Sequence, residues 1–323
     1  MNLINFKGMQ CYYNSIVTIA AALGIDYTRA FGGLWSEIDY RYDPYRKWFV
    51  SKYLLKNLAE IGCSVSDLPS MTPEKTRASL DSLSDGDLLA VGMDAYYVPW
   101  NPYFGLFFGP HYFVVEYDGD DVLVCHDPTY GYEGERLTRG HIIRHACHMI
   151  SVRTCARGDA RHDDMTEMRA AAEVIPKQKL RLLSWLEPAE GRRARANTAY
   201  KYVECMINNR YLYHRYLEYC SPETLPKLSI FDDGFFENWI AVKNGMLKAS
   251  IMKGSVRLLG EIHKYLDTVI ERELTAIEEG VSALGEIHCA PLLRSIAIPI
   301  PTSPRNPPLP SPGAIDIAID PRH

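Results

Sequence analysis

The chain has 323 residues, a formal net charge of −5, 47% hydrophobic residues and 23% charged residues. This composition is typical of a globular protein, and no apolar stretch is long enough to span a bilayer. Without a block of basic residues, nucleic-acid binding is not expected. The N-terminus lacks the features of a signal peptide, so we expect a cytoplasmic protein with no membrane partner.

The first part of the chain is predicted to be helical. An Ala-rich apolar run predicts a buried helix over 14–24, and an amphipathic pattern predicts a second helix over 46–62. Thr72, followed by Pro73, marks the start of a third helix over 72–83. The pattern then changes to period two, which predicts strands over 87–98, 111–117, 122–127 and 147–154. Helices followed by a meander of antiparallel strands predict an α+β fold.

A polar, charge-mixed stretch over 156–178 interrupts the pattern, and we place a domain boundary there. Beyond it the sequence predicts three further helices, over 192–220, 235–252 and 255–286. The last of these keeps apolar residues three and four apart, as in a helix bundle. The predicted organisation is an N-terminal domain, a helical domain and a flexible Pro-rich tail, over residues 1–158, 165–290 and 291–323 respectively.

Three residues could together form a nucleophilic site. Cys11 opens the first helix, where unpaired N–H groups and the helix dipole stabilise a thiolate. His111 opens one predicted strand and Asp127 closes the next. An imidazole oriented by a carboxylate can take the proton of a thiol. The sequence therefore predicts Cys11 as nucleophile, His111 as base and Asp127 as the group that orients His111.

The length of the predicted hairpin loop bears on this grouping. If Asp118-Gly119-Asp120 is a three-residue loop, Tyr117 pairs with Asp121 and the residue numbers of every pair add up to 238. His111 then lies directly opposite Asp127. Opposed residues share one face of the sheet, with Cβ atoms about 4.5–5.5 Å apart. We therefore expect the two side chains to be in contact.

A nucleophilic cysteine also needs donors for the oxyanion of the tetrahedral intermediate. Beside the backbone N–H of Cys11, two side-chain amides are candidates. These are Asn5, six residues upstream, and Gln10, immediately before the cysteine.

The order of these motifs resembles that of papain-like cysteine enzymes. Among those enzymes, it resembles the order in the bacteriocin-leader peptidases of bacterial exporters. In those enzymes a cysteine opens the first helix, a GHY-type strand carries histidine and an NDP-type strand carries aspartate. The stretch GPHYFVVEYDGDDVLVCHDPTYG, residues 109–131, is similar to that pattern. The peptidases carry glutamine six residues before the cysteine, where this chain has Asn5, and this position makes Asn5 the preferred candidate.

The chain more closely resembles the family of the butirosin biosynthesis H-type protein. The shared features are a Cys-led helix ending in Gly24-Ile25-Asp26 and the stretch GMDAYYVPWNPYFG, residues 92–105. The resemblance covers roughly residues 5–155, and beyond them only the helical character is common.

That resemblance implies a papain-like fold and acyl transfer in natural-product biosynthesis. An acyl or peptidyl group would move from the phosphopantetheine thioester of a carrier protein, through a Cys11 acyl-enzyme, to a small amine acceptor. The protein itself would need no cofactor. The helical half could bind the carrier protein, supply the acceptor pocket or form a homodimer contact. A peptidase or amidase of the same mechanism, or a non-catalytic binding partner, is the alternative.

The aromatic stretch 96–108 leads directly into His111. It can be a packed loop over the sheet or a wall of an acyl-binding cleft. The residues predicted to contact substrate are Asp94, Tyr96, Tyr97, Trp100 and Tyr112.

A second group of possible ligands lies between residues 125 and 148. His141 and His145 are four residues apart, as metal ligands on a helix can be, but no third ligand has a fixed spacing from them. We therefore predict no metal site. The eight cysteines are scattered without a CxxC pair, and we expect reduced thiols that are mostly buried.

Overall fold

The computed structural model describes residues 1–43, 48–68, 72–117, 121–158, 162–187, 191–222, 224, 228, 230–252 and 256–283. Met1–Glu286 form one compact unit. The Pro-rich tail, predicted to be flexible, lies outside the described residues. The division into domains over 1–158 and 165–290 stays a prediction.

The described chain contains both helices and antiparallel strands, which confirms the α+β class. The α-helices are α1 (Cys11–Ala22), α2 (Lys52–Glu60), α3 (Pro73–Asp81), α4 (Arg139–His145), α5 (Asp164–Leu186), α6 (Arg192–Cys220), α7 (Asp233–Ile251) and α8 (Val256–Ala283). The strands are β1 (Arg41–Asp43), β2 (Trp48–Val50), β3 (Cys63–Leu68), β4 (Leu88–Asp94), β5 (Pro110–Glu116), β6 (Val122–Asp127), β7 (Tyr132–Thr138) and β8 (Ala146–Thr154).

Strands β3 to β8 form a six-stranded sheet in the order β3-β8-β4-β5-β6-β7, and β1 pairs with β2 in a separate hairpin. Every described pair is antiparallel. Of these strands, β1, β2, β3 and β7 were not predicted from the sequence. They are short, or more exposed than a core strand, and their alternation is correspondingly weak.

One predicted helix was wrong in extent, and one helix was not predicted. The helix predicted over 46–62 begins only at Lys52, because Trp48–Val50 belongs to β2 and the Ser51 hydroxyl caps the helix by accepting from Leu54 N–H at 3.0 Å. The helix α5 covers most of the polar stretch 156–178. Besides its charged face it has a buried stripe, which is formed by Met165, Met168, Ala171 and Ile175. The helix predicted over 192–220 is confirmed as α6.

Different helices cover the two faces of the large sheet. Along β5, Tyr112 and Val114 point into the core that includes α1, whereas Phe113 and Val115 point into a second core with α3 and α4. This alternation is the period-two pattern that predicted the strand. Among the described helices, none is long and apolar enough to cross a membrane.

The hairpin of β5 and β6 corrects the predicted register. Glu116 pairs with Val124, so paired positions sum to 240 rather than 238, and His111 is not directly opposite Asp127. The reason is that the backbone of Tyr117 bonds to residues just before β4, on the opposite side of β5 from β6. Its N–H donates to Asp87 O at 3.0 Å, and its carbonyl accepts from Gly86 N–H at 2.7 Å. Because a shift of two positions preserves the face, His111 and Asp127 still lie on the same side of the sheet.

A buried ion pair organises the helical half. The guanidinium of Arg210 on α6 bonds both carboxylate oxygens of Glu273 on α8, and both side chains have no exposed surface. Trp239 Nε1 donates to the Glu273 carboxylate at 3.0 Å, and the side-chain amide oxygen of Gln178 accepts from the Arg210 guanidinium at 3.1 Å. The pair therefore joins α5, α6, α7 and α8.

Glu37 connects this network of hydrogen bonds to the N-terminal half of the chain. Gln178 Nε2 donates to the Glu37 carbonyl at 2.7 Å, and Asn209 Nδ2 donates to the Glu37 carboxylate at 2.8 Å. That carboxylate also accepts from Ser51 Oγ and from Lys52 N–H, at the start of α2. These contacts hold α5 and α6 against Glu37 and the start of α2.

Candidate active site

Cys11 is the first residue of α1. Gln10, its N-cap, is extended (φ −79°, ψ 154°), and its carbonyl accepts from Asn14 N–H at 2.9 Å to close the first turn. Cys11 is partly exposed. It lies at the N-terminus of α1, the positive end of the helix dipole.

The segment before Cys11 is held by α6. Gly8 has φ +90°, and a Cβ built there would lie 2.5 Å from the side chain of Tyr211. Only glycine fits both this backbone conformation and this close approach. The helical half thus positions the chain that leads into the cysteine.

The structure brings Cys11, His111 and Asp127 together. His111 Nε2 lies 2.6 Å from Asp127 Oδ2, and both residues are buried. Cys11 and His111 line the same cavity, and the sulfur is close enough to contribute to the raised pKa of His111. Since Nε2 is occupied by Asp127, Nδ1 is the ring nitrogen left to exchange a proton with a reacting group.

Asp127 is fixed by further donors. Its Oδ1 accepts from the N–H groups of Thr129 at 3.0 Å and Tyr130 at 3.3 Å, and its Oδ2 accepts from Trp100 Nε1 at 3.0 Å. The carboxylate has no exposed surface, so these bonds replace the water it has lost. Asp127 can therefore hold the tautomer and orientation of His111.

The electrostatics of the site favour a protonated imidazole. Burial lowers the pKa of His111, but the hydrogen bonds and charges of Asp127 and Cys11 more than offset it and raise that pKa from 6.5 to about 9. At neutral pH the imidazole therefore carries a positive charge, and a cationic group of this kind is what activates a cysteine nucleophile in general.

Trp100 was predicted to contact substrate, but its indole is bonded to Asp127 and packs edge-on against Phe113. We expect Trp100→Phe to lower the maximal rate constant for acylation of Cys11 by a thioester about tenfold, because Asp127 loses one charge-assisted hydrogen bond. The concentration for half-maximal rate should not change. Stopped-flow acylation kinetics measure both quantities. A raised half-maximal concentration with an unchanged maximal rate would instead make Trp100 a wall of the substrate site.

The two oxyanion candidates are placed differently. Asn5 Nδ2 donates to the Thr129 carbonyl at 3.0 Å, and Asn5 is not among the described residues that line the cavities at Cys11. Gln10 lines both cavities. With the Asn208 amide oriented so that its nitrogen donates to the carbonyls of Gly8 and Glu204, its oxygen lies 3.2 Å from Gln10 Nε2. Of the two amides, Gln10 is therefore the one that shares both cavities with Cys11.

Asp94 holds the aromatic loop in place. Its Oδ1 accepts from Tyr96 N–H at 3.0 Å and from Gly109 N–H at 3.1 Å, which ties the two ends of the loop together. The Tyr96 ring stacks on Phe108 at a centroid distance of 4.4 Å. The rim of the loop exposes five large apolar side chains, Tyr103, Phe104, Leu106, Phe107 and Phe108.

The other two residues predicted to contact substrate, Tyr112 and Tyr97, also contact neighbouring side chains of the fold. The Tyr112 hydroxyl lies 2.9 Å from His148 Nδ1, although Tyr112 also lines a cavity at Cys11. Tyr97 stacks on His145, and its carbonyl lies 2.8 Å from His141 Nε2. In the described part of the chain no group of three or more His, Cys, Asp or Glu residues could hold a metal ion.

The other cysteines differ from Cys11 in their surroundings. Burial raises the pKa of the Cys63 and Cys125 thiols to about 12, which makes them poor nucleophiles. Cys205 is also buried, whereas Cys147 and Cys155 are exposed. Cys11 and Cys220 are partly buried against the core, so five of the seven described cysteines belong to or contact a core, as expected.

Two cavities meet at Cys11. The His111-side cavity, of about 500 Å³, includes His111, Asn101, Thr129, Tyr130 and Asn208. The aromatic cavity, of about 670 Å³, includes Tyr12, Trp48, Phe108 and Tyr112. The residues common to both are Gln10, Cys11, Gly109, Pro110 and Glu204.

Several residues that line these cavities were not predicted from the sequence as site residues. The Tyr130 ring lies 5.3 Å from the His111 ring, and its position just after Asp127 in the sequence was a usable signal. Glu204 and Asn208 lie one turn apart on α6 and reach the cleft from the other half of the chain. Polar residues on an amphipathic helix are typical of a solvated face, so the sequence carried no signal for them.

The chain matches no protein-family model, and no curated protein has a significant sequence match to it.

Proposed function

We propose that this protein is a cysteine-dependent acyltransferase with a papain-like N-terminal half. The observation that supports this most is the buried His111–Asp127 pair, whose imidazole lines the same cavity as Cys11, the first residue of a helix. A helix that carries the nucleophile and packs on an antiparallel sheet that carries the base is also what a papain-like fold requires.

The chemistry follows from these positions. The Cys11 thiolate attacks the carbonyl carbon of a thioester, the C–S bond to the donor breaks, and His111 gives its proton to the departing thiolate. A neutral amine then attacks the acyl-enzyme, the C–S bond to Cys11 breaks, and His111 takes the proton of the new amide nitrogen. The products are an amide, a free thiol and the original ion pair. The oxyanion would be stabilised by the Cys11 N–H and by Gln10, with Asn5 as the second candidate.

Two features support transfer to an amine over hydrolysis. The motifs around Gly24-Ile25-Asp26 and residues 92–105 resemble those of the butirosin biosynthesis H-type family, whose donors are acyl groups on carrier proteins. Cys11 also lies where two cavities meet, so an acyl group and an acceptor can both reach it. The donor partner that we propose is a carrier protein bearing phosphopantetheine.

The test is to detect the acyl-enzyme. We expect intact-protein mass spectrometry to show one acyl adduct after incubation with butyryl-N-acetylcysteamine, and to show its conversion to N-propylbutyramide when propylamine is added. Cys11→Ala should form no adduct, whereas Cys155→Ala, which removes an exposed thiol, should behave as wild type.

Other results would overturn the proposal. An adduct on Cys11→Ala would place the nucleophile elsewhere. Release of the acyl group as the free acid, at a rate that propylamine does not change, would make the protein a hydrolase. A Cys11 that forms no adduct and resists iodoacetamide at neutral pH would identify a non-catalytic binding protein.

A further inference from the structure

A side chain of the helical half contacts the candidate oxyanion donor. Asn208, on α6, is 9% exposed and lines one of the cavities at Cys11. Its amide nitrogen donates to the Gly8 carbonyl at 2.9 Å and to the Glu204 carbonyl at 3.3 Å, and its oxygen accepts from Gln10 Nε2 at 3.2 Å. One amide therefore bonds both the backbone and a side chain of the segment that leads into the cysteine.

Two backbone carbonyls set the polarity of this contact. A carbonyl only accepts hydrogen bonds, so the Asn208 nitrogen has to face Gly8 and Glu204, and the Asn208 oxygen is left to face Gln10. The Gln10 amide must then present its nitrogen to Asn208. With the Gln10 amide reversed, two amide oxygens would lie against each other with no proton between them.

Gln10 keeps a donor for the cleft. A side-chain amide nitrogen carries two protons, and the contact with Asn208 uses one of them. Although Gln10 is the N-cap of α1, its side chain does not accept from the N–H groups of the first turn. Gln10 also lines both cavities at Cys11. The second Nε2 proton is therefore available to a group that reacts with the cysteine.

The same part of α6 restricts the movement of this segment. Tyr211 lies one turn after Asn208, and a Cβ added to Gly8 would lie 2.5 Å from the Tyr211 side chain. The Tyr211 ring is itself stacked on Phe236 of α7, at a centroid distance of 3.7 Å. The position of the segment and the orientation of Gln10 therefore both depend on the helical half.

We propose that Asn208 is a positioning residue. It orients Gln10 so that the second Nε2 proton donates to the oxyanion formed when Cys11 is acylated. Asn208 makes and breaks no bond in the reaction and acts only through Gln10. The helical half then completes the active site as well as offering a surface to partners. This inference rests on the proposed acyl transfer and gives the helical half a role at the same site.

The first experiment measures acylation kinetics. We expect Asn208→Leu to lower the maximal rate constant for acylation by a butyryl thioester about 10- to 100-fold, part of the effect of losing an oxyanion donor. The concentration for half-maximal rate should not change, because the oxyanion exists only after attack. Alkylation of Cys11 by iodoacetamide, which forms no oxyanion, should keep its wild-type rate. Asn197→Leu, the same change at an exposed position of α6, is the matched control and should alter neither rate.

A double-mutant cycle tests whether Asn208 acts through Gln10. In Gln10→Leu the donor is already absent, so adding Asn208→Leu should slow acylation by less than about threefold more. Two effects that multiply independently would overturn the inference, and so would an Asn208→Leu protein that is acylated at the wild-type rate. Equal slowing of acylation and alkylation would also overturn it, since that result indicates a general disturbance of the site.

A second experiment needs no acyl transfer. The chain has two glutamines, Gln10 and Gln178, so isotopic labelling of glutamine nitrogen in Cys11→Ala gives two pairs of side-chain amide signals by NMR. Adding Asn208→Leu should shift the pair that Gln10→Leu removes. The Gln178 pair, bonded to the Glu37 carbonyl, should stay in place.

Such a shift supports the orientation of Gln10 even if no acyl-enzyme forms, so the two proposals can fail separately. Gln10 signals that are the same with and without Asn208→Leu would contradict the contact.

Discussion

Replacing Asp127 by asparagine is expected to slow acylation of Cys11 by about 10⁴-fold, the loss seen when the aspartate of a catalytic triad becomes asparagine. The neutral amide cannot stabilise the imidazolium, and it can present an N–H to His111 where the carboxylate only accepts. His111 would then hold the wrong tautomer towards Cys11. Single-turnover acylation by a butyryl thioester measures the effect.

The same substitution has a consequence for stability against pH. The folded pKa of His111, about 9, lies above the ordinary 6.5, so its charge stabilises the fold below about pH 6.5, and this contribution is lost as the pH rises through about 9. The full shift corresponds to about 3 kcal/mol. The gap in free energy of unfolding between wild type and Asp127→Asn should therefore be largest near pH 6 and shrink towards pH 9.

Urea unfolding across that pH range and NMR titration of the His111 ring measure this gap and its origin. Asp81→Asn, which removes an exposed carboxylate paired with Arg139, is the control and should leave the His111 titration unchanged. A His111 midpoint near 6.5 in the wild type would contradict the ion pair, and so would a gap that does not vary with pH.

Replacing Arg210 by methionine is expected to lower the free energy of unfolding by about 3–5 kcal/mol, because Glu273 is left as an uncompensated charge with no exposed surface. Methionine fills much of the same volume, so the loss reports the charge and its hydrogen bonds rather than a large cavity. Urea unfolding at neutral pH is the measurement.

Two further variants separate the causes. Arg210→Met/Glu273→Leu removes both charges and should recover part of the loss, although Trp239 Nε1 then loses its acceptor. Arg257→Met breaks the exposed pair with Glu261 on α8 and should change stability far less. If Arg210→Met were no more destabilising than Arg257→Met, the buried pair would not be what holds the helical half together.

Sequence reasoning succeeded where the signal is local. The continuous helix α6 was predicted from its composition, and Thr72 was correctly predicted to cap α3, since its hydroxyl accepts from Lys75 N–H. Spacing also predicted that His111 and Asp127 share a face, because strand periodicity is two and only parity matters. The register itself was missed by two positions, since Tyr117 bonds to its other neighbouring strand, a contact that sequence spacing does not encode.

The sequence by itself therefore determined the α+β class, the candidate nucleophile and the residues able to activate it. The tertiary structure alone decided that Trp100 bonds Asp127, that Gln10 rather than Asn5 lies in the cleft, and that Glu204 reaches the cleft from α6. The physical reason is the range of the forces involved. Periodicity and capping act over a few residues, whereas a cleft is assembled from side chains as far apart in sequence as Gln10 and Glu204.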